Sequence, residues 1–314
     1  MISIIRKIIY GIIGILIIIG GVSIYAYSKQ QSNFAKLKEV PPVTEDILEQ
    51  IAEEEIEPEE FVEEEVPASS TNGIRERIKS ALNSFLHQDI KIVGIGDSLT
   101  QGVGDEHNAG GYIGILDRTI NAENQIATFE NFGKRGNRTD QMLVRMEEEE
   151  EISESLKSAD IILITIGAND IMKVARDNFV DLHYLQFARE RVKYEERINT
   201  ILTQMRELNN KAHIFLLGIY NPFAQYFPEI EELGTIVNDW NRTSNFTTSQ
   251  YEDVTFIPMQ DVFDQASDNL FADDHFHPNS LGYYHMAERV LEFLTNIEVE
   301  GGNDEEENGT TTGE

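Results

Sequence analysis

Ser98 stands in Gly96-Asp97-Ser98-Leu99, directly behind the apolar run Ile90 to Ile95, which puts a hydroxyl at the C-terminal end of an expected strand. A serine hydroxyl is a poor nucleophile at neutral pH. Acyl transfer therefore needs a base to take its proton and an acidic group to hold that base in the right tautomer. Asp274 and His277, in Asp274-His275-Phe276-His277-Pro278, are a carboxylate and an imidazole of suitable type. Gly167-Ala168-Asn169-Asp170 follows a second apolar run, Ile161 to Ile166. A reaction of this kind also needs hydrogen-bond donors aimed at the developing oxyanion, and losing one typically costs roughly 100 to 1,000-fold in rate.

Each block alone has a plainer explanation. A Gly-Asp-Ser turn can serve as a strand-to-helix turn or a phosphate cradle. Gly-x-Asn-Asp can cap a helix, and Asp274 can be a surface cap beside an exposed histidine. In this order, each at an expected strand end, the blocks resemble the signature segments of the SGNH/GDSL family of serine esterases and lipases, notably the lipase-like members of Gram-positive bacteria. The resemblance covers roughly residues 85 to 297. It implies a flavodoxin-like three-layer α/β/α fold on a parallel five-stranded sheet. It also implies a triad of Ser98, His277 and Asp274, and an oxyanion hole made by the Ser98 N–H, a glycine N–H and the Asn169 side chain. Two glycines in Asn131 to Thr139 compete for the glycine role, Gly136 and Gly133. Gly136 matches better, because Asn137-Arg138-Thr139 after it open a helix, whose N-terminal N–H groups suit an anion. No metal or cofactor is required by this mechanism. His275 and His277 form a His-x-His pair without the further ligands a metal site needs, so His275 reads as a flank of the site. Asp97 and Asp170 are expected to orient their loops by side chain to backbone hydrogen bonds. Lys134, Arg135 and Arg138 depart from the family pattern and read as solvated charge or as contacts to an anionic substrate group.

Further β-branched and aromatic runs at Ala127 to Phe132, His213 to Tyr220 and Val254 to Pro258 bring the expected strands to five. Helical patterns lie at Tyr112 to Ile120, Thr139 to Glu149, Ala188 to Leu208, Glu229 to Thr248 and near Tyr284 to Thr295. Short apolar strands alternating with helices predict a parallel sheet covered on both faces. Ligands of such sheets bind beyond the strands' carboxyl ends, where Ser98, Gly136, Asn169 and the Asp274–His277 loop all fall. Ile171 to Phe187 reads either as a wall or lid of an acyl pocket or as an irregular helical lead-in packed on the sheet. Asn221 to Pro228 is a second aromatic loop that can wall the opposite side. The five acids Glu147 to Glu151 read as a solvated helix end.

The termini have a different character. Ile8 to Ser28 is 21 residues without a charge, preceded by Arg6-Lys7. At about 1.5 Å per residue it reaches about 30 Å, a bilayer's hydrocarbon thickness. The basic flank places the N-terminus in the cytoplasm and the remainder outside. The alternative is a signal peptide cleaved after Ala26-Tyr27-Ser28 and a secreted protein. With no cysteine in the chain, a lipid-anchored lipoprotein is not expected. The expected organisation is an anchor over 1–28, an acidic tether over 29–70, a hydrolase domain over 71–297 and an acidic tail over 298–314. Between Glu39 and Val66 there are 13 Asp or Glu and no Lys or Arg, a composition that favours an extended tether. Residues 71–297 carry 36 Asp or Glu against 20 Lys or Arg, which argues against a nucleic-acid partner.

The combined expectation is a membrane-tethered, outward-facing serine esterase or lipase acting on a small-molecule, lipid or glycan ester. Alternatives within hydrolases are an acetyl esterase on cell-wall glycans, a thioesterase or a lysophospholipase. The non-enzymatic alternative is a wall-exposed binding protein with an inactive site.

Overall fold

The computed structural model describes residues 90–178, 182–222 and 231–295. The expected anchor, tether and tail lie outside the described residues, as do Phe179, Val180 and the Phe223 to Pro228 part of the aromatic loop. Five strands form one sheet: β1 (Ile90–Gly96), β2 (Ala127–Gly133), β3 (Ile161–Thr165), β4 (His213–Leu217) and β5 (Val254–Ile257). All four pairings are parallel, in the order β2-β1-β3-β4-β5. This is the expected sheet, and its physical basis is the period of two along each strand. Ile92, Ile161, Leu163 and Phe215 enter one core, whereas Val93, Ile95, Ile162, Ile164 and Ile214 enter the other.

One face is covered by α2 (Gly111–Ile120), α8 (Gln260–Asp264) and α9 (Ser280–Leu294), which contribute Leu116, Phe263 and Met286 to that core. The opposite face carries α3 (Thr139–Glu148), α4 (Glu150–Ser158), α5 (Ala168–Asp177), α6 (Tyr184–Leu208) and α7 (Glu231–Thr248). Met142, Leu156, Val174, Ile198 and Trp240 are their buried anchors. A four-residue α1 (Ser98–Gln101) follows β1 directly.

Several boundaries differ from the sequence expectation, among them the end of β4 at Leu217 and not Tyr220, and the start of α9 at Ser280 and not near Tyr284. The acidic run Glu147 to Glu151 is a junction, because α3 ends at Glu148 and α4 starts at Glu150 with Glu149 capping both. Helix α6 begins at Tyr184 and not at Ala188, since Gln186 caps it by accepting from the His183 N–H at 2.7 Å. Within Ile171 to Phe187, the residues up to Asp177 belong to α5, whose Val174 enters the core, as does Phe187 at the start of α6.

The chain runs from β1 outward to β2, then returns to β3 on the other side of β1. That reversal opens a crevice at the carboxyl ends of β1 and β3. Ser98 follows one of these strands and Asn169 the other.

Candidate active site

Ser98 opens α1 and is buried. The turn that presents it requires bare backbone at Gly96, where a Cβ would stand 2.3 Å from the Thr165 carbonyl oxygen of β3. Asp97 caps the short helix, its Oδ1 accepting from the Leu99 N–H at 3.0 Å and from the Thr165 hydroxyl at 2.8 Å. Thr165 in turn bonds Thr100 at 2.7 Å, which reaches Tyr112 at 3.1 Å, so a buried polar chain underlies the serine. Burial pushes the Asp97 carboxyl up to about 7, against the opposing effect of its two hydrogen bonds and with help from the negative charge of Asp170.

His277 reaches Ser98 from 179 positions away: its Nε2 is 2.8 Å from the Ser98 Oγ. The other ring nitrogen, Nδ1, bonds Asp274 Oδ2. Asp274 also uses Oδ1 to accept from the Phe276 and His277 N–H groups at 3.0 and 2.9 Å, so one carboxylate shapes the loop and orients the ring. Burial alone would raise Asp274, but these hydrogen bonds and the neighbouring imidazole hold it well below the usual carboxylate range. His275 occupies a left-handed turn position with φ 58°.

The histidine loop is pinned from several sides. Tyr220 donates its hydroxyl to the Phe276 carbonyl at 2.8 Å, and the Ala272 N–H bonds the His277 carbonyl at 2.9 Å. At the start of α9, Ser280 donates to Asp105 at 2.8 Å and Tyr283 to the Val103 carbonyl at 2.7 Å. Asp105 further accepts from the Ala109 and Gly111 N–H groups at 2.9 and 3.0 Å. These bonds tie the loop after α1 to the helix that follows His277. Sequence reasoning missed Asp105, because its link to the histidine loop runs through Ser280, 175 positions away.

The two competing glycines differ in surroundings. The Gly133 N–H is taken by Asn131 Oδ1 at 2.8 Å, and a Cβ there would stand 2.1 Å from the Gln101 nitrogen. Gly133 is thus a packing glycine under α1. Gly136 is exposed, has φ 74°, and its N–H meets no acceptor among the described residues. Nothing lies within 4 Å of a Cβ at Gly136, so the left-handed backbone and not crowding calls for glycine there. Next to it, the Asn137 carbonyl accepts from Asn169 Nδ2 at 3.1 Å, fixing the amide while its second N–H remains for another acceptor.

Asp97 and Asp170 both bond backbone N–H groups, as their positions suggest, but Asp170 reaches beyond its own loop. It accepts from the Thr139 N–H at 3.1 Å and the Thr139 hydroxyl at 2.5 Å, joining α5 to the start of α3. Arg197 of α6 closes this clamp, donating to Asp170 at 3.0 Å, to Thr139 Oγ1 at 2.6 Å and to Glu190 at 2.6 Å. Burial raises the Asp170 carboxyl, and Thr139 and Arg197 pull it back. Arg197 was invisible in the sequence, one arginine among several on a long helix. Of the basic residues near Gly136, Arg138 pairs with Asp140 at 3.1 Å.

Residues 95–284 match the GDSL-like Lipase/Acylhydrolase family. The chain belongs to this family. It is accordingly an enzyme, a hydrolase acting on ester bonds. Among relatives of the family, the uncharacterized protein YpmR of Bacillus subtilis is 34% identical over 211 residues, 66% of this chain and 82% of that one. The spore germination lipase LipC of Bacillus licheniformis is 27% identical over 209 residues, 64% of this chain and 94% of that one. The crystal structure of the lipase Lip_vut3, from a goat rumen metagenome, superposes with TM-score 0.57 at 26% identity, covering 64% of this chain and 95% of that one. The acetyl-xylooligosaccharide esterase Axe2 of a Geobacillus shares the fold, with TM-score 0.52 at 18% identity over 67% of this chain and 95% of that one.

Proposed function

We propose that this family member is a serine carboxylesterase with Ser98 as nucleophile, His277 as base and Asp274 as the group that orients His277. One observation carries the reading: Ser98 Oγ lies 2.8 Å from His277 Nε2 while Nδ1 of the same ring faces Asp274. Ser98 Oγ attacks the ester carbonyl carbon as its proton passes to His277 Nε2. The carbonyl electrons move onto oxygen, which the Ser98 and Gly136 N–H groups and Asn169 Nδ2 receive. Collapse breaks the bond to the alkoxy oxygen, His277 returns the proton to it, and an alcohol leaves. Water then attacks the acyl-serine, giving a proton to His277. The second collapse releases the acid and restores Ser98. The Gly136 N–H, which meets no acceptor among the described residues, and the anchored Asn169 amide support these donor assignments.

The substrate is a small-molecule, lipid or glycan ester, and the acidic body, with 36 Asp or Glu against 20 Lys or Arg over 71–297, disfavours nucleic acid. We further propose that the catalytic domain is displayed outside the membrane on the run Ile8 to Ser28, supported by its 21 uncharged residues and the Arg6-Lys7 flank. Among the described residues no helix is long and apolar enough to cross a membrane. The test of the chemistry is hydrolysis of a chromogenic acetate ester by the full chain in detergent, with covalent labelling by a small fluorophosphonate. Ser98→Ala is expected to lose both and to melt as wild type does. Wild-type rates in that variant would refute the serine mechanism.

A further inference from the structure

Beside Ser98 and Asn169 lies a recess of about 30 Å³ walled chiefly by apolar side chains: Ile171 and Met172 of α5, Leu217 and Ile219 at the end of β4, Val237 of α7, and Phe276. We infer that this recess takes the acyl group of the substrate and that it selects short acyl chains, acetyl to butyryl, over fatty acyl chains. The inference rests on the serine esterase reading above.

Two steps lead to it. In the tetrahedral intermediate the carbonyl carbon holds Oγ, the oxyanion, the leaving alkoxy group and the acyl substituent. The leaving oxygen must face His277, which protonates it, and the oxyanion must face the Gly136 and Asn169 donors. His277 is absent from the described walls of the recess, whereas Ser98 and Asn169 belong to them. The remaining substituent, the acyl chain, is the one directed there.

Size sets the length. The recess is small, about 30 Å³ where a single water needs about 10–15 Å³, so it suits a short acyl chain and not a fatty one. The walls do not yield easily: Leu217 is anchored in the core on one sheet face, and Ile171, Ile219 and Val237 in the core on the other. Widening it means repacking both cores. Methylenes that fit gain from burial, about fourfold each in kcat/KM. Further ones must turn back toward solvent or force the acyl carbon off the donors.

The experiment keeps one leaving group, p-nitrophenol, and varies the acyl chain from acetate through butyrate and octanoate to laurate, using the full chain in detergent. The highest kcat/KM is expected within acetate to butyrate, with octanoate lower by about tenfold or more. Octanoate or laurate turned over within tenfold of the best short ester would overturn the inference. Met172→Ala and Val237→Ala are expected to raise the octanoate-to-acetate ratio several-fold, and an unchanged ratio in both folded variants would equally overturn it. Fluorophosphonate labelling of Ser98 separates the two levels of failure. Labelled enzyme that prefers long chains defeats only the recess assignment, whereas an enzyme neither labelled nor active on any ester defeats the serine mechanism as well.

Discussion

At the scale of single residues, the proposed roles differ in what their loss should cost. Asp274→Asn leaves the loop acceptors partly in place but offers the imidazole the wrong partner, so kcat should fall on the order of 10³–10⁴-fold. Asn169→Ala removes one of three oxyanion donors, with an expected loss of about 100 to 1,000-fold, and should remain measurably above Ser98→Ala. Single-turnover and steady-state assays on the three variants check this ranking, and equal, total loss in all three would contradict it. The pH dependence follows from Asp274, which stays ionised through mildly acidic conditions because its partners hold it below the usual range. Only a neutral imidazole can accept the serine proton, so kcat/KM should fall on acidification along a single-proton limb. A two-proton limb would place a second titrating group in the base machinery.

Among elements, the clamp of Asp170, Thr139 and Arg197 joins the three helices that carry or support the proposed oxyanion donors. Gly136 and Asn137 precede α3, Asn169 lies in α5, and Arg197 bridges from α6. Arg197→Met leaves the Asp170 carboxylate buried without its cation, which should destabilise the fold on the order of 3 kcal/mol. If the clamp also sets donor geometry, Arg197→Met should lower kcat with little change in KM. Its effect should then be non-additive with Asn169→Ala in a double-mutant cycle. Simple additivity in kcat would restrict Arg197 to stability.

For the molecule as a whole, two carboxylates pull stability in opposite directions with pH. The folded-state value of Asp97 is raised to about 7, above an unfolded value of about 3.9. Its contribution is therefore fully present below the unfolded value and is lost as pH rises through about 7. Asp274, lowered on folding, contributes above its unfolded value, and that contribution is lost as pH falls. Asp97→Asn retains an acceptor for Leu99 and Thr165. It should thus gain stability relative to wild type between about pH 4 and pH 8, on the order of a few kcal/mol. Urea melts across this range test the sign, and a constant offset would refute it. On the proposed display, protease added to intact cells should release an active fragment beginning near the end of the 29–70 tether. Appearance of that fragment only after lysis would place the domain inside the membrane.

Much of this architecture is encoded locally. Nearly continuous runs of apolar residues at Ile90 to Ile95 and Ile161 to Ile166 make strands buried on both faces, and strands separated by helices leave a parallel sheet as the economical arrangement. Ser98 and Asn169 were legible because each directly follows a strand, so local conformation alone carries them to the same sheet end. Even the histidine loop announced itself, since Asp274 shapes its own turn through two neighbouring N–H groups. What the sequence left open depends on groups remote in the chain. The sequence favours Gly136 over Gly133 without settling the pair, and they part further once α1 packs against β2 and Asn131 occupies the Gly133 N–H. Met172 lines the recess, Val174 enters the core and Ile171 does both, a distribution set by how α5 lies against the sheet. The Ser98–His277 contact spans 179 positions and rests on Asp105, Tyr220 and Tyr283. Chain-local patterns report the conformation of neighbours; only the packed layers decide which distant hydrogen bonds close and how much space remains between side chains.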